Sequence, residues 1–142
     1  MYQHILLAID LAGGESWKKS LQTAVELCQA DGATLHLCTV VPDFGMSVVA
    51  QFFPDNYEED VLAQVKRDLH AFSKNNVPPD VKVQHIILHG TIYEEILEAA
   101  NRVKADLIVL SANRPELSDY LIGPNAARVV RHASCSVLVV RD

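Results

Sequence analysis

Five apolar runs of strand length, at residues 4–9, 34–41, 81–88, 106–110 and 136–140, alternate with longer segments of helical period. Parallel strands cannot be joined by a tight turn; each connection needs a crossover of a dozen or more residues, usually a helix. The alternation β-α-β-α-β-α-β-α-β therefore predicts an α/β fold: a five-stranded parallel sheet in a three-layer sandwich, with right-handed crossovers and helices on both faces. No linker or repeat interrupts the pattern, so residues 1–142 read as one domain.

The helical segments carry their own punctuation. The first helix is expected to start near Glu15, to line Leu21, Ala24, Val25 and Cys28 along one face, and to end at Asp31-Gly32, where glycine can take the left-handed cap. Val61, Val65, Leu69 and Phe72 mark a second helix, closed by Asn75, Asn76, Pro78 and Pro79. Val81, Val83, His85 and Ile87 then alternate with Lys82 and Gln84, a half-exposed pattern that suits an edge strand. Thr91 and Glu94 read as a capping box ahead of Ile92, Ile96, Leu97, Ala100 and Val103, and a last helix is expected from about Asn125 to His132. Phe44, Phe52 and Phe53, between the second strand and the second helix, read as loop packing.

Charge and side-chain inventory narrow the function. Twelve basic against eighteen acidic residues give a formal net charge of −6 with no basic run, which argues against nucleic acid as a partner. The opening MYQHILLAID lacks a basic leader and its apolar stretch has only strand length, so no membrane insertion and a cytoplasmic location are expected. Cys28, Cys38 and Cys135 are widely spaced and odd in number, which reads as reduced core residues; the six histidines show no metal-ligand spacing and read as ordinary core or surface residues.

In an open parallel sheet a ligand sits outside the carboxyl ends of the strands, where the strand order reverses. If the strand order is 3-2-1-4-5, the first and fourth strands meet at that reversal, and Asp10 and Ser111 would face one crevice. A carboxylate at a strand end can accept both hydroxyls of a ribose, which is the reading of Asp10. Gly123, ahead of a helix, offers backbone amides and the positive end of a helix dipole to a phosphate, and Arg114 could add charge.

The opening HILLAID, the segment LHGTIYEEILEAA, the strand ADLIVLSA and above all YLIGPNAARVVRHASCSVLVVR resemble the universal stress protein family across nearly the whole chain. The lead-in RPELSDYLIG is most similar to its F and G types. That resemblance implies an adenine nucleotide alpha hydrolase-like fold and an adenine nucleotide, ATP or its ADP or AMP relatives, with Mg2+ able to accompany it. It implies further that Asp10 takes the ribose, that the backbone of Val40 pairs with the adenine edge, and that Ala8 and Ile9 lie beneath the nucleotide. Ser111, Asn113, Arg114, Gly123, Pro124 and Asn125 would line the phosphates, and Gly90 would let the backbone approach. Nucleotide-binding members carry G-x2-G-x9-G-[ST]; here the stretch runs Ser111-x2-Arg114-x8-Gly123-Pro124, and proline brings neither the hydroxyl nor the backbone N–H of the family's serine.

The last strand is apolar on both faces although the order places it at an edge, so a second copy paired through that strand is expected to cover it, as the family resemblance also implies. No paired carboxylates or Ser–His–Asp spacing suggests an efficient catalyst, which leaves at most slow ATP hydrolysis. Two other readings stand beside the nucleotide-binding dimer. One is a nucleotide-free stress dimer acting through protein partners, for which Pro124 and the missing glycines speak. The other is an ATP pyrophosphatase, whose S-G-G-x-D-S loop Ala12-Gly13-Gly14-Glu15-Ser16 approaches but does not match.

Overall fold

Strand β1, His4–Ala8, lies in the middle of the sheet with Ile5, Leu6 and Leu7 fully buried. The structure is a computed structural model that describes residues 1–11, 14–41, 57–112 and 123–141. Among these, β1 is followed by α1 (Trp17–Asp31), β2 (Thr34–Val41), α2 (Tyr57–Asn76), β3 (Val83–His89), α3 (Ile92–Val103), β4 (Leu107–Ser111), α4 (Pro124–His132) and β5 (Ser136–Val140). The strands pair in parallel in the order β3-β2-β1-β4-β5, which is the order supposed above, within the sandwich expected from the alternation.

Strand pleating divides the core in two, because successive side chains point to opposite faces. Ile5, Leu7, Leu35, Leu37 and Val109 face α1 and α2, where Leu21, Ala24, Val25, Cys28 and Leu69 close the layer. Leu6, Cys38, Ile108 and Leu110 face α3 and α4, covered by Ile96, Ala99, Ala100, Ala126 and Val129. Each fully buried aliphatic side chain contributes about 1.5–3 kcal/mol, so this double layer dominates the stability.

Local chemistry moves several element ends from where the sequence alone sets them. α1 ends as expected at Gly32, which takes φ 69° and donates its N–H to the carbonyl of Cys28. β3 begins at Val83 rather than at residue 81: Val81 is buried but sits in a turn, its N–H donating to the Pro78 carbonyl at 3.2 Å. Thr91 has the extended backbone of a helix N-cap, yet its side chain makes no capping bond, so the expected capping box is not formed. Glu94 is engaged instead by the Tyr93 hydroxyl, which donates to Oε1 at 3.1 Å. α4 starts one residue early, at Pro124, because proline suits the first helical position.

A polar row crosses the α3/α4 face near the amino ends of the strands. Buried His36 has its Nδ1 against the carbonyl oxygen of Gln84, which can only accept, so that nitrogen carries the proton. The free lone pair on His36 Nε2 then accepts from His4 Nδ1 at 3.0 Å. This row satisfies a histidine that the sheet would otherwise leave unpaired.

Candidate functional site

The carboxyl ends of β1, β2 and β4 bring together Ala8, Ile9, Asp10, Val40 and Ser111 of the residues singled out from the sequence. Ala8, half-buried, ends β1 in register with Cys38; Ile9 extends that ladder, its N–H donating to the Cys38 carbonyl at 2.9 Å. Asp10 follows and is exposed. Continuing the same register sets Asp10 level with Val40, and adjacent strands lie about 5 Å apart. On the other side, Leu7 pairs with Val109, which sets Ile9 level with Ser111, the last residue of β4.

β4 and β5 continue past their pairing: the Ala112 N–H donates to the Val140 carbonyl at 2.9 Å. α4 returns toward β5 antiparallel to the strands, which puts its N-terminus at the carboxyl end of the sheet. Gly123 is its N-cap in an extended conformation, φ −65° and ψ 160°, and Pro124 occupies the first helical position. The N–H groups of Asn125 and Ala126 have no acceptor within the helix, whereas the Ala127 N–H is already donated to the Gly123 carbonyl at 2.9 Å. Pro124 thus removes one donor from this terminus and leaves the dipole and two amides. Asn113 and Arg114 lie outside the described residues.

Gly90 sits one strand further out. Its N–H donates to the Val41 carbonyl at 3.0 Å, and its φ of 137° is open to glycine but rarely to other residues. The space a Cβ would take is filled by Glu95, whose Cγ would be 3.3 Å away. The direction in which glycine lacks a side chain therefore faces a helix residue of the same chain.

Two contacts here escape sequence reasoning. Glu95 folding over Gly90 is one; the five-residue spacing from a strand-end glycine into the first turns of a helix was the only cue. The other is Arg128, whose guanidinium stands 4.9 Å from the centroid of the Tyr93 ring and ties the start of α3 to the second turn of α4. Its signal was the position of an arginine on α4, five residues after the N-cap glycine.

The cysteines are chemically quiet. Complete burial pushes the Cys38 thiol up to about 12, and burial followed by the nearby Asp31 carboxylate pushes Cys28 to about 11. Burial, then Asp106, raises Cys135 as well. No three His, Cys, Asp or Glu side chains converge on a metal-sized point among the described residues. A cavity of about 110 Å³ lies between Leu97, Ala100, Ile108 and Cys135, away from the strand ends above, and is too small for a nucleotide, since ligand pockets span about 300–1,000 Å³. No helix among the described residues is long and apolar enough to cross a membrane.

The fold and this site can be set beside known proteins. A family model described as the universal stress protein family matches residues 1–141. Universal stress protein G of Shigella flexneri is 29% identical over 143 residues, covering 99% of this chain and all of that one. The solved structure of hypothetical protein MJ0577 superposes with a TM-score of 0.82 at 23% identity, over 100% of this chain and 97% of that one. A universal stress protein in complex with cAMP superposes with a TM-score of 0.67 at 23% identity, over 99% and 97% of the two chains. One from Archaeoglobus fulgidus in complex with dAMP does so with a TM-score of 0.59 at 17% identity, over 97% of each. With the family model spanning nearly every residue and a parallel sheet of the same order beneath it, the chain belongs to the universal stress protein family.

Proposed function

We propose that this chain, acting as one unit over residues 1–142, binds an adenine nucleotide at the carboxyl ends of β1 and β4 and works as a dimeric stress-response or signalling module in the cytoplasm. The observation that carries the reading is the reversal of strand order at β1 and β4, with Asp10 and Ser111 at its two strand ends and the N-terminus of α4 on the same end of the sheet. The cAMP and dAMP complexes of related structures support an adenine nucleotide as the ligand class.

In this reading Asp10 accepts the ribose hydroxyls, the backbone of Val40 meets the adenine edge, and Ala8 and Ile9 form the floor. Ser111, Asn113, Arg114, Gly123 and Asn125 receive the phosphates, with Gly90 at the rim. Mg2+ would travel with the phosphates of ATP, because the described residues supply no metal cage of their own. The dimer would form through β5, an edge strand in which Val137, Leu138 and Val139 are only half-buried.

Titration calorimetry of AMP, ADP and ATP, with and without Mg2+, into nucleotide-stripped protein tests the reading. Saturable heat near one site per chain supports it. Absence of heat with all three sinks it and favours the second reading, a ligand-free dimer acting through protein partners, for which Pro124 in place of an amide donor is the specific observation.

A further inference from the structure

The row of β3 that faces α2 differs from its counterparts on the other strands. Val83, His85, Ile87 and His89 alternate onto that face, so two imidazoles stand where β1 and β2 present aliphatic side chains. The His85 ring stacks on His70 of α2, with centroids 3.8 Å apart and planes 28° apart. His85 Nε2 is buried and has no hydrogen-bond partner.

The surroundings give a proton on this pair little compensation. The register neighbour of His85 on β2 is the fully buried Leu37, and Gln84 on β3 points to the opposite face, toward His36. On α2, Lys66 and Lys74 stand one turn either side of His70 and carry the same sign. Glu58 lies about three turns away on the helix and is taken by His89, with Oε1 3.0 Å from Nδ1. Burial, and after it the neighbouring His70, holds the His85 imidazole below the ordinary histidine range.

We propose that the His70–His85 stack is a proton-operated latch on the C-terminal half of α2. With at most one proton the rings stay stacked and the helix stays docked. A second proton sets two cations face to face at 3.8 Å, and the C-terminal half of the helix, which carries His70, lifts. The Glu58–His89 contact ties the first turn of α2 to the end of β3 independently of the stack, so acid moves one end of α2 and not the other. Docking is complete above the unperturbed histidine range and is lost as pH falls below it toward the depressed value of His85.

A built-in reporter makes this measurable. Trp17, the single tryptophan, packs edge-to-face on Phe72 at 4.7 Å, two residues beyond His70. Emission of the full chain would be followed from about pH 8 to about pH 5 in wild type, His85→Phe and His70→Phe, alongside amide exchange. The expected result is a reversible emission change in wild type, with faster exchange in the C-terminal half of α2 than in α1. Both variants, which keep a ring in the stack without its charge, stay flat. Wild-type emission that does not change, variants that titrate like wild type, or all helices losing protection together would overturn the latch. Should His85→Phe fail to match the wild-type spectrum at high pH, His70→Phe, with its exposed site, carries the test alone.

Discussion

His4 Nδ1 and His36 Nε2 lie 3.0 Å apart on neighbouring strands and are bridged by a single proton, since the far nitrogen of His36 is already committed to Gln84. Protonating His36 would force the His4 proton onto its other ring nitrogen or set two N–H donors against each other.

A pH dependence follows. Burial lowers the pKa of His36, opposed by its bond to Gln84 and assisted by His4. A histidine depressed in the folded state binds protons more tightly when unfolded, so its contribution to stability is full above the ordinary histidine range and falls as pH drops below it. Urea midpoints should therefore decline between about pH 7 and about pH 5. His36→Gln should flatten part of that decline; an unchanged pH profile would rule out His36 as a contributor.

Among the described glycines, Gly90 alone has both a positive φ and a neighbour where its Cβ would stand. Gly90→Ala combines a φ of 137° with a Cβ 3.3 Å from Glu95 Cγ, and should destabilise the fold by about 1–3 kcal/mol in urea. Adding Glu95→Ala should recover the contact part but not the backbone part. Complete recovery would mean that the strain lies in the contact alone.

For the proposed nucleotide site, Asp10→Ala should weaken binding by about 1–3 kcal/mol if the carboxylate holds the ribose. Pro124→Ser restores an amide and a hydroxyl at α4 and should strengthen ATP binding by about 1 kcal/mol. Calorimetry on the two variants reads both effects; unchanged affinity in Asp10→Ala would remove the ribose assignment, and unchanged or weaker ATP binding in Pro124→Ser would place the phosphates elsewhere.

The proposed dimer has a selective test. The Val140 carbonyl points at β4, where it accepts from Ala112, so the Val139 N–H one residue earlier points to the open edge. Val139→Pro then removes an outward donor and spares the β4 ladder. Light scattering should report a monomer with native circular dichroism. A persistent dimer would locate the interface away from β5.

Thiol labelling should separate the cysteines by burial. Cys38 and Cys28, with thiols near 12 and 11, should react with iodoacetamide at mildly alkaline pH only on unfolding, and half-exposed Cys135 should react slowly in the folded chain. Labelling of Cys38 at the same rate as Cys135 would mean that the α3/α4 layer opens readily.

Periodicity made the sheet legible, because apolar runs joined by helical segments leave few alternatives for a parallel α/β fold. Residues whose environment is tertiary were less so. Val81 reads as strand because it is buried, yet its burial comes from a turn. Thr91 and Glu94 have capping-box spacing, but Tyr93 competes for the carboxylate. Read one at a time, the histidines looked unremarkable; their pairing as His4–His36 and His70–His85 depends on strand register and helix docking, which no local spacing encodes. Among the site residues, Ala8, Ile9, Asp10 and Ser111 gather through strand order alone, whereas Asn113, Arg114 and the aromatic residues 44, 52 and 53 lie outside the described residues.

Pro124 separates two requirements that a helix start usually joins. As an opening residue of α4 it is as good as a serine for the helix, since its fixed φ fits and the missing N–H would have had no acceptor inside the helix. For an anion it is a missing contact. In the proposed site, a change at position 124 would therefore act on ligand affinity with little effect on folding, so that what the helix start holds and how well it is built are set separately.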